Sequence, residues 1–150
     1  MTMQRNRDAA NEILGVGWNF PVRVDRAAPG VAAVGKASGG IALVRYEQDI
    51  EQAVRIILGT RPGERRMRPT FGCRVHELIF APINATTFGQ ISRYVRDALE
   101  MWEPRVEVDE VVAEPAPGAA GWVDIAITYT VRATKDERSI VYPFYVIGEE

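Results

Sequence analysis

ATTFGQISRYVRDALEMWEPRVEVDEVVA, residues 85–113, decides the fold, because its apolar spacing changes period halfway along. Up to Trp102 the large apolar residues Phe88, Ile91, Val95, Ala98, Leu99 and Trp102 recur every three or four positions and form one stripe, which predicts an amphipathic helix over Ala85–Trp102. Each large side chain on that stripe is worth about 1.5–3 kcal/mol if fully buried, so this helix is expected to anchor the core. Thr87 with Gln90 resembles a capping box, and Asn84 is the competing cap. Pro104 ends the helix, since the residue before a proline is pushed out of the helical region. From Val106 to Ala113 the period drops to two, which predicts a strand.

Beyond Ala113 the chain reads as two consecutive hairpins. A Pro/Gly/Ala turn over 114–121 leads into a strand over Trp122–Arg132, a charged turn covers 134–138, and a last strand covers Ser139–Ile147. In the middle strand Val123, Ile125, Ile127, Tyr129 and Val131 share one side, so that face is expected to pack on helices. The last strand leaves neither face polar, and Pro143 places it at a sheet edge or costs it one ladder bond.

Before residue 85, Ile50, Ala53, Val54, Ile57 and Leu58 predict a second helix over Tyr46–Leu58, with Gly59 as a left-handed stop. Pro62-Gly63 suits the middle of a type II turn, and Val75–Phe80 suits a short helix ended by Pro82. Phe20, Val22 and Val24 alternate as a short strand, Ala27–Gly40 reads as a loop, and Met1–Gly15 as a flexible tail. The expected architecture is therefore α+β: residues 16–150 as a single domain of two long helices packed on a mainly antiparallel sheet.

The chain has 150 residues, 47% of them hydrophobic and 25% charged, which suits one compact domain with a substantial core. Eighteen Lys and Arg against 20 Asp and Glu give a formal net charge of −2, and no global field recruits nucleic acid. No apolar run approaches the roughly 18 residues of a membrane span, and the first fifteen residues do not resemble a signal peptide. Cytoplasmic assembly is the expectation, with the single cysteine, Cys73, unable to form an internal disulfide.

Little in the sequence speaks for catalysis. His76 is the sole histidine, so one chain cannot supply a two-His metal site, and a Cys73–His76 dyad has only proximity in its favour. Lys36-Ala37-Ser38 lacks the spacing of a phosphate loop. Carboxylate pairs such as Glu103 with Asp109 are too common to single out. The expectation is no enzyme, no metal and no cofactor. Arg61, Arg65, Arg66 and Arg68 crowd the Pro62 turn with only Phe71 as an aromatic neighbour, which favours an acidic protein partner over nucleic acid.

The run Ile56 to Pro69 followed by Phe71-Gly72, together with Trp102-Glu103-Pro104-Arg105, Gly17 to Phe20 and Gly39-Gly40, resembles the baseplate wedge family called GPW or lysozyme-like baseplate proteins. Two separated motifs occur in the family's order and setting. The resemblance implies a structural baseplate component of a contractile phage tail, type VI secretion system or extracellular contractile injection system, present in multiple copies in a ring. It implies that Glu103, Pro104 and Arg105 hold the protein to the wedge core bundle. It also implies that the C-terminal sheet imitates part of a sheath subunit, so that arms of the first sheath ring add strands to it, with Ile140, Tyr142, Phe144 and Val146 marking the receiving strand. Other wedge proteins and the sheath are the implied partners, with hub or inner-tube proteins as further candidates, and the finished particle carries the protein out of the cell. The family's older label suggests the rival reading of a peptidoglycan-cleaving enzyme, and a tail adaptor without sheath contact is the third.

Overall fold

The computed structural model describes residues 16–18, 24–25, 40–41, 43–45 and 47–147. Two compact units are distinguished, residues 1–52 and 53–150. The first unit's described strands are β1 (Val16–Trp18), β2 (Val24–Asp25), β3 (Gly40–Ile41) and β4 (Leu43–Arg45). They form two antiparallel pairs, β1 with β4 and β2 with β3. Of the strand expected over Phe20–Asp25, only Val24–Asp25 is described, and the expected tail and all of the loop before Gly40 lie outside the described residues.

Helix α1 (Glu47–Gly59) buries Ile50, Val54, Ile57 and Leu58, the stripe its spacing predicts. Its stop is not the expected left-handed glycine, for Gly59 is absent from the residues with positive φ. Thr60 ends the helix instead: its hydroxyl donates to the Ile56 carbonyl at 2.6 Å and its N–H to that of Ile57. A side chain that satisfies the last carbonyls makes a glycine at that position unnecessary.

Helix α2 (Ala85–Trp102) has the expected bounds. Asn84, not the Thr87–Gln90 pair, is its cap, accepting from the Thr87 N–H at 2.9 Å. Between the two helices lies a short 3-10 helix, Arg74–Leu78. Strands β5 (Val106–Pro115), β6 (Trp122–Val131) and β7 (Glu137–Tyr145) follow as two antiparallel hairpins, so β6 is central and β7 is an edge. One face of this sheet, with Val106, Val108, Val123, Ile125, Ile127, Tyr129, Ile140 and Phe144, is buried together with the α2 stripe Ile91, Val95, Ala98 and Leu99.

Strand β5 contains a bulge that the sequence reading did not anticipate. Its register against β6 slips between Val108 and Glu110, leaving Asp109 extra. Val106 and Val108 face inward before the slip and Ala113 after it, so the buried positions change from even to odd numbers. A one-residue insertion has that effect on a strand whose side chains alternate. Arg96 of α2 reaches the bulge and donates to the carbonyls of Val108 and Asp109, at 2.9 and 3.1 Å.

Candidate functional site

The loop from Thr60 to Cys73 is closed at its neck, where the Cys73 N–H donates to the Thr60 carbonyl at 2.9 Å. Gly72 makes that closure possible. Its φ is +121°, and a Cβ there would stand 2.3 Å from the Thr60 oxygen. The expected type II turn is present: the Glu64 N–H bonds the Arg61 carbonyl at 3.1 Å, with Gly63 at φ +89°. Gly63 also donates to the Pro69 carbonyl at 2.6 Å, which folds the arginine-bearing stretch back on itself.

The four arginines predicted as a partner surface are all exposed on this loop. Arg65 lies over the Phe71 ring, 4.5 Å from its centroid, and Phe71 packs against Trp102 with centroids 5.2 Å apart. This stack joins the loop to the end of α2. The two sequence motifs are thereby one structural feature, a contact between residues too distant in the chain for spacing to reveal.

Glu103 caps the C-terminus of α2, its N–H bonding the Leu99 carbonyl at 2.9 Å. Its carboxylate receives both Nε and Nη2 of Arg105, at 2.6 and 2.7 Å. The Glu103 side chain is only 4% exposed and that of Arg105 30%, while Pro104 between them is exposed. Proline at the exit of the helix turns the chain sharply enough for residues two apart to form a bidentate pair. Arg105 is tied further to the sheet, its carbonyl accepting from the Arg132 N–H at 2.9 Å. Of the three predicted wedge-contact residues, then, one is buried, one is part-buried and one is open to solvent.

The strand predicted to receive a sheath arm is β7. Ile140, Phe144 and Val146 turn into the core and Tyr142 is half-buried, while Val141, Pro143, Tyr145 and Ile147 are the exposed set. The expectation of two apolar faces holds, but the named side chains belong to the covered one. Hydrogen bonding alternates as well. The Val146 N–H points to Gly121, beside β6, whereas the Ile147 N–H points the other way, to the Ile79 carbonyl at 2.6 Å. Odd-numbered residues of β7 therefore direct their backbone groups away from β6, which is the one phase in which Pro143 sacrifices no ladder bond. Among the described residues no strand pairs with that edge.

The residues weighed for chemistry do not converge. Cys73 Sγ is 3.5 Å from the Tyr94 carbonyl, while His76 Nε2 is 2.7 Å from that of Leu58, so the two engage different partners. Burial pushes the Cys73 thiol up to about 11, and it raises the Tyr142 phenol too. Glu103 is committed to Arg105, and Asp109 accepts from the Thr130 hydroxyl at 2.8 Å. Among the described residues no group of acids, cysteines and histidine is placed to hold a metal, and no helix is long and apolar enough to cross a membrane.

Residues 44–136 match the sequence profile of the family described as baseplate wedge protein gp25. A crystal structure described as a candidate tail lysozyme from Geobacter sulfurreducens is 50% identical, with the match covering 67% of this chain and 90% of that one at a TM-score of 0.63. The fold is shared with a chain of the anti-feeding prophage baseplate, at 23% identity over 92% of this chain and 90% of that one with a TM-score of 0.63. It is shared also with a chain of the post-contraction pyocin R2 baseplate, at 24% identity, 74% and 98% coverage and a TM-score of 0.54. A search of curated proteins gives no match.

Proposed function

Because the chain belongs to the baseplate wedge protein gp25 family, we propose that it is a structural, non-catalytic baseplate subunit of a contractile phage tail or injection system, joining the wedge core bundle to the first sheath ring and templating the sheath. It works in multiple copies within a ring, assembles in the cytoplasm and leaves the cell as part of the particle. The turn Glu103-Pro104-Arg105 lies in the wedge contact, with the exposed Pro104 and the part-exposed Arg105 as the contacting groups and Glu103 holding Arg105 in place.

The outward edge of β7, with which no strand pairs among the described residues, carries the sheath half of this reading. Strand addition requires unpaired backbone groups in one phase, and Ser139, Val141 and Tyr145 share the outward phase of Pro143. The opposite edge of the sheet is a poorer template, since β5 is bulged and Arg96 occupies two of its carbonyls. The side chains that an added arm would lie beside are Val141 and Tyr145.

The test is purification of the tagged protein from cells that build the particle, with electron microscopy of what elutes. Wedge and sheath proteins in one particle support the reading, and a protein without partners sinks it. Val141→Pro addresses the sheath directly: it removes an outward donor but no bond to β6, so it should spare folding and wedge incorporation while stopping sheath growth. Full sheaths on such baseplates would exclude β7 as the template. The name of the Geobacter relative keeps peptidoglycan cleavage as the rival. That chemistry needs a carboxyl free to donate a proton across a sugar cleft, whereas Glu103 is held by two charge-assisted bonds from Arg105.

A further inference from the structure

Between Arg61 and Phe71 the closed loop makes three successive reverse turns, Arg61 to Glu64, Arg65 to Arg68 and Arg68 to Phe71, each shut by a backbone bond of 3.1 Å. The bond from Gly63 to Pro69 ties the first turn to the last, and the stack of Arg65, Phe71 and Trp102 fastens them all to α2. The loop is therefore a knob whose backbone holds its shape by its own bonds. Arg66 and Met67 take the two central positions of the middle turn. Such positions ordinarily go to Pro, Gly, Asn, Asp or Ser, each for a reason of backbone geometry or local hydrogen bonding. Neither arginine nor methionine offers the turn that service. Met67 is nevertheless 95% exposed, beyond any other large apolar side chain among the described residues, and Arg66 and Arg68 stand on either side of it in the chain.

Charge at the tip selects the partner. From Arg61 to Arg68 the only carboxylate is Glu64, which is engaged by the Arg61 N–H at 3.0 Å. Arg66 and Arg68 form no ion pair among the described residues. The tip thus presents one adaptable apolar side chain between two cations whose charges nothing nearby answers. Nucleic acid fits poorly, because stacking needs an exposed ring and Phe71 is already in contact with both Arg65 and Trp102. A bilayer fits poorly too, since a single methionine buries too little apolar area to hold a protein at its surface. We infer that the knob inserts Met67 into an apolar cleft of a neighbouring baseplate protein, and that Asp and Glu on the rim of that cleft meet Arg66 and Arg68. This rests on the baseplate reading and adds a contact apart from the turn at Glu103 and the edge of β7. Because the backbone is already fixed, little freedom is lost on binding. Methionine supplies the affinity, and the arginines supply orientation and rate of encounter.

The experiment places a photo-crosslinking amino acid at position 67 in cells that assemble the particle, irradiates the purified particle and sequences the adduct by mass spectrometry. The expected adduct is a segment of another baseplate protein in which apolar residues lie beside Asp or Glu. In parallel, incorporation is measured in competition with a differently tagged parent. Met67→Ser should lower it by about tenfold or more, as should Arg66→Glu combined with Arg68→Glu, whereas Met67→Leu and the double change of both arginines to lysine should retain most of it. All four should melt as the parent does, because the altered side chains are exposed. An adduct to nucleic acid, lipid, a second copy, another part of this chain or a segment without acids overturns the inference. So does parental incorporation of either Met67→Ser or the double glutamate variant. Particles that contain the protein but yield no adduct overturn the inference alone. Absence of the protein from any particle overturns the baseplate reading and the inference with it.

Discussion

Replacing Arg105 with methionine should destabilise the protein by about 3–5 kcal/mol, because it leaves a nearly sealed carboxylate without its counter-charge. The Glu103 side chain is 4% exposed and loses both of its guanidinium donors. Glu103→Gln is the milder change. It keeps shape and polar atoms, and Arg105, with 30% of its side chain in solvent, can recover water, so the loss should be about 1.5–3 kcal/mol, the worth of hydrogen bonds to a charged group. The double variant removes both charges at once and should cost less than the sum of the singles, by about 0.5–3 kcal/mol of coupling. Urea unfolding followed by far-ultraviolet circular dichroism measures all three, with an unchanged m-value as the check that only stability has moved. The reasoning is refuted if Arg105→Met stays within about 0.5 kcal/mol of the parent, as an ordinary surface substitution would. A larger loss for Glu103→Gln than for Arg105→Met, or strict additivity, refutes it equally.

Gly72→Ala should cost about 2 kcal/mol or more, since φ +121° and a Cβ 2.3 Å from the Thr60 oxygen combine strain with collision; thermal unfolding against Gly63→Ala, where space is open, isolates the collision. Cys73 should resist thiol reagents at neutral pH until the protein unfolds, which a timed reaction with an aromatic disulfide measures. Its folded value of about 11 exceeds the ordinary 9.0, so the folded form binds the proton more tightly. That stability is complete below about pH 9 and is lost as pH rises towards 11, with Tyr142 adding a loss of the same sign. Cys73→Ala should flatten the alkaline limb of a stability-against-pH curve. Val141→Pro completes the set.

Helix α2 was legible because a continuous stripe, a cap and a proline all act within one short window, and local physics settles such a window. The hairpins were legible for the same reason: β6 alternates without interruption from Val123 to Val131. What escaped the sequence reading depended on distance or on competition. The β5 bulge is hinted at by two consecutive acids, Asp109-Glu110, followed by two valines, but only pairing against β6 shows which residue is extra. Glycine is the usual terminator, which points to Gly59 as the stop of α1, whereas Thr60 satisfies the Ile56 carbonyl with its hydroxyl and that of Ile57 with its N–H. The direction in which Glu103 and Arg105 point could not be read from their spacing. A helix would separate side chains two apart, and it is the turn at Pro104 that closes them on each other.

The Phe71–Trp102 contact has a practical corollary for anyone wishing to redirect such a protein to a different assembly. The loop and the helix end behave as a single cassette. Grafting 60–73 from a relative without its own 94–105 would strand one ring of the stack against a foreign neighbour, and the recipient would inherit an unsupported arginine-bearing finger. Exchanged together, with the neck glycine and the residues around Pro104 included, the two segments should transfer as one interchangeable part, and chimaeras built at other boundaries should be the ones that fail.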